Sequence, residues 1–200
     1  VDVFNVVMMG LGVPLENYDA VITALGLLTL PAPTGVGVPA KRITISTVGL
    51  VPQIMRLANE GHRYRLAVSL HAATDAARSK LMPVNRTFPL APLMKAVKHH
   101  VEATGRRVTF EYILIEEIND SVGDAAKLVR LVGQIPCKIN LIPYNPIGPG
   151  KFKRPSAEKI QRFVDYLGPR VAAVTVRYSQ GVDIGAACGQ LAGMAVEPPR

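Results

Sequence analysis

The chain has 200 residues, of which 48% are apolar, 19% charged and 6% aromatic, and it carries a net charge of +8. That is the size of one domain with enough apolar chain to bury a core; it excludes a disordered polypeptide, and no apolar run reaches the ~18 residues of a membrane span. No basic-then-apolar leader opens the chain, and two cysteines, Cys137 and Cys188, are too few for a disulfide framework or a four-thiolate metal site; a reducing compartment follows, and the charge suits a polyanion such as RNA without requiring one.

An apolar, β-branched run, Val3–Met9, begins almost at the first residue with no Met, cap or polar lead-in before it, which reads as a piece cut inside a domain. Further strand-like runs lie at Arg42–Thr47, Arg65–Leu70, Arg107–Ile115, Lys138–Pro143 and Val171–Tyr178. Between them the spacing of apolar residues predicts helices near Asn17–Leu28, Val51–Glu60, Asp75–Leu81, Leu90–Thr104, Asp120–Gln134 and Ser156–Leu167, with a last one at Asp183–Ala195. The strands read as continuous apolar runs rather than clean alternations, the pattern of parallel strands covered by helices. About six such βα units predict an α/β fold: a (β/α) barrel, complete or partial, or an open doubly wound sheet. Ser156 and either Asp120 or Ser121 are placed to cap helices, and Gly105 and Gly168 to end them. Pro31–Pro39 and Pro143–Pro155 are loops, the second carrying Lys151, Lys153 and Arg154.

Parallel βα folds bind ligands at the carboxyl ends of their strands. The residues there are, in chain order, Gly10 to Pro14; Ser46 to Gly49; Ser69, Leu70 and His71; Glu116, Glu117, Asn119 and Asp120; Tyr144, Asn145 and Pro146; and Gly181, Asp183 and Cys188. Singly, each is an ordinary turn former; as a set they predict a small-molecule site at one rim. Gly10-x-Gly12 lacks the third glycine of a dinucleotide fingerprint and the Lys-Ser/Thr of a P-loop. His71 could orient a ligand, shuttle a proton near neutral pH, or be a satisfied structural histidine. His99 and His100 read as solvated helix residues beside Lys95 and Lys98, and Cys137 as a buried structural thiol. Cys188 sits among small residues beside the predicted rim and is a candidate nucleophile.

Four blocks in order sharpen this reading: Phe4-Asn5-Val6-Val7-Met8-Met9-Gly10-Leu11-Gly12, Ser69-Leu70-His71, Cys137 through Pro146, and Ala186-Ala187-Cys188-Gly189-Gln190-Leu191-Ala192. Together they closely resemble the radical S-adenosylmethionine methyltransferases of the RlmN-like family, which methylate adenine C2 in 23S rRNA and some tRNAs. The resemblance implies a partial (β/α)6 TIM-like barrel, with residues 1–200 forming a truncated core that lacks the first strand, the accessory domain and the Cys-x3-Cys-x2-Cys loop that ligates a 4Fe–4S cluster. It implies S-adenosylmethionine held by Gly12, Val13, Ser46, Ser69, Leu70, His71 and Asn145, and a methyl-carrying cysteine at Cys188. The mechanism it implies uses one S-adenosylmethionine to methylate Cys188 and a second, cleaved at the cluster, to generate a 5′-deoxyadenosyl radical; this activates the S-methyl carbon for addition to adenine C2. An electron donor for the cluster, an RNA substrate contacted by the Lys151–Arg154 loop, a monomeric state and a cytoplasmic location (organellar in a eukaryote) complete the expectation, with no membrane partner. One departure stands out: Val13 replaces the Glu of the family's Gly-Glu-Pro motif, whose carboxylate holds the methionine amino group. Losing that charge-assisted bond costs about 1.5–3 kcal/mol of binding. Val13 and the missing cluster loop therefore favour an alternative, a non-catalytic remnant that binds RNA or S-adenosylmethionine weakly. An unrelated aldolase-like barrel is disfavoured, since no lysine stands at a strand end to form a Schiff base.

Overall fold

The computed structural model describes residues 4–9, 12–146 and 151–178. Six parallel strands, β1 (Val6–Met8), β2 (Ile43–Thr47), β3 (Arg65–Ser69), β4 (Val108–Leu114), β5 (Cys137–Pro143) and β6 (Val174–Val176), form one sheet in sequential order. Helices α1 (Tyr18–Thr29), α2 (Val51–Asn59), α3 (Asp75–Leu81), α4 (Leu90–Thr104), α5 (Val122–Val132) and α6 (Ala157–Leu167) fill the crossovers. Each strand thus pairs with the next through a crossover, the order of a partial TIM-like barrel. The helix predicted at Asp183–Ala195 lies outside the described residues. No helix among the described residues is long and apolar enough to cross a membrane.

Local chemistry sets the element ends. Ser121, not Asp120, caps α5: its hydroxyl accepts from the Asp124 N–H, and the Asp124 carboxylate reaches back to the Ser121 N–H, a capping box. This starts the helix at Val122, and Gly133, at φ +51°, ends it. Ser156 caps α6 through the Lys159 N–H, and Gly105, in the left-handed region at φ +67°, ends α4. The last strand is shorter than its apolar run: pairing with β5 covers only Val174–Val176.

One correction to the sequence reading matters for function. The strands do alternate. Ile43, Ile45, Leu66, Val68, Phe110, Tyr112, Ile139 and Leu141 lie in the buried core. On this face Tyr112 meets Phe163 of α6 with ring centroids 5.7 Å apart, so it is the face the helices cover. The opposite face carries Thr44, Ser46, Ala67, Ser69, Thr109, Glu111, Lys138, Asn140 and Thr175. The sheet thus has an apolar back, which forms the core, and a front on which polar residues stand.

A second correction concerns α4. His100 is fully buried rather than solvated, between Ala96, Val97 and Val101 along the helix, and neither ring nitrogen has a hydrogen-bond partner. The buried positions Leu90, Leu93, Met94, Val97, His100, Val101 and Thr104 follow the three–four spacing of one helix face, and His100 falls on it. His99, one step round, reaches solvent and pairs with Asn59 at 2.7 Å.

Candidate functional site

Register places a row of polar residues across the front of the sheet. Ser69 pairs with Glu111, Glu111 with Asn140, and Asn140 with Thr175. The Asn140 amide donates to Glu111 Oε2 at 2.6 Å, and Thr175 Oγ1 donates to Asn140 Oδ1 at 2.9 Å. Glu111 is buried, which pushes its carboxyl above the ordinary carboxylate range against the opposing pull of Asn140, Arg177 and Lys138. Ser46 pairs with Ala67, two residues before Ser69, so both serines face the same side near the carboxyl ends of adjacent strands.

His71, just past β3, holds a left-handed backbone, φ +58°, rare for a residue with a side chain and costing about 1–3 kcal/mol. Three hydrogen bonds offset that strain. Its N–H donates to the Glu111 carbonyl at 3.3 Å, its carbonyl accepts from Asn119 Nδ2 at 2.8 Å, and its Nδ1 accepts from the Ile113 N–H at 3.2 Å. A ring whose Nδ1 accepts carries its proton on Nε2. Burial, and secondarily the charge of Arg78, lower its pKa to about 4. His71 is therefore a neutral Nε2–H donor at pH 7, which supports orienting a ligand and argues against a proton shuttle near neutrality.

The remaining strand-end residues divide by role. Leu70 is fully buried, with its N–H and carbonyl engaged inside the protein, so it shapes the rim. Gly12, at φ +90°, is exposed ahead of Val13, which packs partly buried against the core, its carbonyl accepting from the Glu16 N–H at 3.0 Å. Asn145 is buried just beyond β5. Asn119 and Asp120 serve the loop after β4: Asn119 bridges the Ile113 carbonyl, the Ile115 N–H and the His71 carbonyl, while Asp120 accepts from the Glu117 N–H and lies 3.3 Å from Lys159. Ser46, Ser69, His71 and Asn145 thus stand at the carboxyl ends of β2, β3 and β5. Gly10 and Cys188 lie outside the described residues.

Asn119 is among the strand-end residues the sequence singles out; Glu111, Asn140 and Thr175 are not. A charged residue in the middle of Val108–Leu114 and an amide in the middle of Cys137–Pro143 were the available signals, because mid-strand polar groups are costly unless paired.

Ser46, Ser69, His71 and Asn145 bring two hydroxyls, an imidazole N–H and an amide to one rim, groups able to hydrogen-bond a polar ligand. They do not suit a 4Fe–4S cluster. The only described cysteine, Cys137, is buried at the amino end of β5, away from that rim, and burial raises its thiol to about 11. Among the described residues no group of three or more His, Cys, Asp or Glu could hold a metal ion.

No family model matches the chain. It is 51% identical over 187 residues to the "Probable dual-specificity RNA methyltransferase RlmN 3" of Opitutus terrae, covering 94% of this chain and 50% of that protein. It is 46% identical over 196 residues to the "Dual-specificity RNA methyltransferase RlmN" of Syntrophotalea carbinolica, covering 98% and 52%. The crystal structure of a radical SAM methyltransferase from Sphaerobacter thermophilus superposes with a TM-score of 0.88 at 50% identity, over 93% of this chain and 54% of that one. This chain is a homologue of the RlmN-type radical SAM methyltransferases. A domain of a pyruvate-formate lyase-activating enzyme from Bacteroides vulgatus, 19% identical with a TM-score of 0.61, shares the fold alone. The chain spans about half the length of the curated relatives it matches.

Proposed function

We propose that this chain is the substrate-holding and methyl-carrying part of an RNA methyltransferase that acts on adenine C2 of 23S rRNA and of some tRNAs. The observation that carries the reading is 46–51% identity to RNA methyltransferases across at least 94% of the chain, on a fold whose strand-end face is polar. In this reading Ser46, Ser69, His71 and Asn145 hold S-adenosylmethionine at the rim, with His71 donating through Nε2. Cys188, as a thiolate, attacks the sulfonium methyl group: the new bond is Cys188 S–CH3, the broken one is the sulfonium S–CH3, and S-adenosylhomocysteine leaves. The family's 4Fe–4S cluster finds no ligands among the described residues, so it is assigned no residue and no step here. The net charge of +8 and the exposed Lys151, Lys153 and Arg154 supply phosphate contacts. That loop is anchored, since the Lys153 carbonyl accepts from the Glu116 N–H at 2.9 Å and the Arg154 guanidinium lies 5.5 Å from the Tyr178 ring centroid. An electron donor, a monomeric state and a cytoplasmic setting belong to the same reading.

The test joins this chain to the part of the Opitutus terrae relative that it does not cover and follows two products: the mass of the Cys188 peptide and RNA adenine methylation. We expect a methyl group on Cys188, and Cys188→Ala abolishing RNA methylation. An unmodified thiol, with methylation intact in Cys188→Ala, rejects the reading.

Val13 favours the binding-only alternative, because its aliphatic side chain cannot accept a hydrogen bond from an amino group. Val13→Glu is expected to tighten S-adenosylmethionine binding by about 10- to 100-fold, the equivalent of one charge-assisted hydrogen bond. Titration calorimetry decides it, and an unchanged affinity removes Val13 as the cause of weak binding.

A further inference from the structure

Arg78, on α3, is fully buried, and no carboxylate oxygen among the described residues lies within 4.0 Å of it. Its donors are spent on five neutral acceptors. Nε donates to the Leu70 carbonyl at 3.1 Å; Nη2 donates to the Val48 carbonyl at 2.7 Å and the Ser69 carbonyl at 3.2 Å; Nη1 donates to Asn85 Oδ1 at 2.9 Å and the Phe88 carbonyl at 3.4 Å. Three of these carbonyls close the carboxyl ends of β2 and β3, beside Ser46, Ser69 and His71. Strand-end carbonyls have no further ladder partner and must be satisfied by something.

The cradle around the guanidinium is fitted. Gly49 adopts φ +104°, and a Cβ there would sit 3.2 Å from Nη2 and from two Leu93 methyl carbons. Asn85 is held in turn, its amide reaching Ser79 Oγ at 2.8 Å and Asp75 Oδ1 at 3.0 Å, while Asp75 Oδ1 also accepts from the Leu90 N–H at 2.8 Å. Burying a guanidinium without a paired carboxylate costs several kcal/mol unless its donors are all used. A neutral side chain would fill the space at less cost. What only the planar fork of arginine can do is hold carbonyls from two strands and a loop in one fixed geometry.

We infer that Arg78 is a positioning residue for the strand-end site: it fixes the Ser69–Leu70 backbone so that His71 enters its left-handed turn with Nδ1 on the Ile113 N–H and its proton on Nε2. The link to a ligand rests on the proposed S-adenosylmethionine site; the link from Arg78 to His71 stands without it.

The experiment compares the 200-residue chain with its Arg78→Met and Arg78→Lys variants. Thermal melting reports folding, nitrogen NMR of the His71 ring (assigned by its loss in His71→Gln) reports the tautomer, and calorimetry reports S-adenosylmethionine affinity. In a folded Arg78→Met chain the Nε2–H signature is expected to give way to a tautomer mixture, with affinity falling about tenfold or more. Arg78→Lys, which keeps the charge and part of the bonding, is expected to recover some of both. A folded variant with an unchanged His71 signature overturns the inference, and so does failure of both variants to fold, which would make the role purely structural. A wild-type chain that binds no S-adenosylmethionine defeats the proposed site alone, because the ring signature still decides the role of Arg78.

Discussion

Replacing His100 by Leu is expected to remove about 3 kcal/mol from a steep loss of stability in acid. His100 is fully buried on α4 with both ring nitrogens unpartnered, and burial, with His99 as a secondary repulsion, lowers its pKa to about 4. The unfolded chain binds a proton at this residue near pH 6.5, whereas the folded chain refuses it until about pH 4. Its contribution is therefore fully present above pH 6.5 and is lost as pH falls from there toward 4. Over that window the loss is about 3 kcal/mol, because each unit of difference is worth about 1.4 kcal/mol. Leu fits the apolar helix face and has no nitrogens to strand, so His100→Leu should be at least as stable as the parent at pH 7. Chemical denaturation of both proteins at pH 7 and pH 4.5 checks this. His71, whose pKa burial lowers as far, and Glu60 and Asp124, whose carboxyl groups are held below their ordinary range, add acid sensitivity to both proteins alike, so the difference between them isolates His100. Equal losses in the two proteins would show that His100 does not carry the effect.

Phe163→Ala is expected to destabilise the fold by about 3–5 kcal/mol, the usual cost of removing a buried aromatic side chain. Phe163 is fully buried on α6 and lies against Tyr112 with ring centroids 5.7 Å apart, tilted by 34°. Tyr112 in turn donates to the Asn119 carbonyl at 3.3 Å, and Asn119 holds the His71 carbonyl at 2.8 Å. Truncation therefore opens a cavity behind the sheet and loosens the support of the strand-end site in front of it. Phe163→Leu leaves a smaller void and should lose much less. Denaturant midpoints measure both variants; a loss below about 1 kcal/mol in Phe163→Ala would mean the helix layer repacks freely, contrary to a close-packed core.

The candidate site was legible in part. Ser46, Ser69, His71 and Asn145 could be named because strand ends in a parallel fold are where ligands bind, and the strands could be located. Glu111, Asn140 and Thr175 escaped because β4, β5 and β6 read as continuous apolar runs, hiding the alternation that sets these residues on the front. Arg78 escaped because an arginine four residues into Asp75–Leu81 has the spacing of any solvated helix residue, and nothing local tells it to turn inward.

The sequence by itself determined the order of the described strands and helices, some of their caps and stops, and the parallel α/β class. Those features arise within a few residues of chain: a serine three residues from the N–H it caps, a glycine free to take a positive φ, an apolar residue every third or fourth place. Only the tertiary structure decided which polar groups meet. Asn140 reaches Glu111 across 29 residues, Thr175 reaches Asn140 across 35, and Asn119 holds His71 across 48. Such pairings depend on register between strands, which the folded chain sets as a whole. The same holds for the protonation of His71 and His100, because a side chain's pKa follows its burial, and burial belongs to the assembled layers.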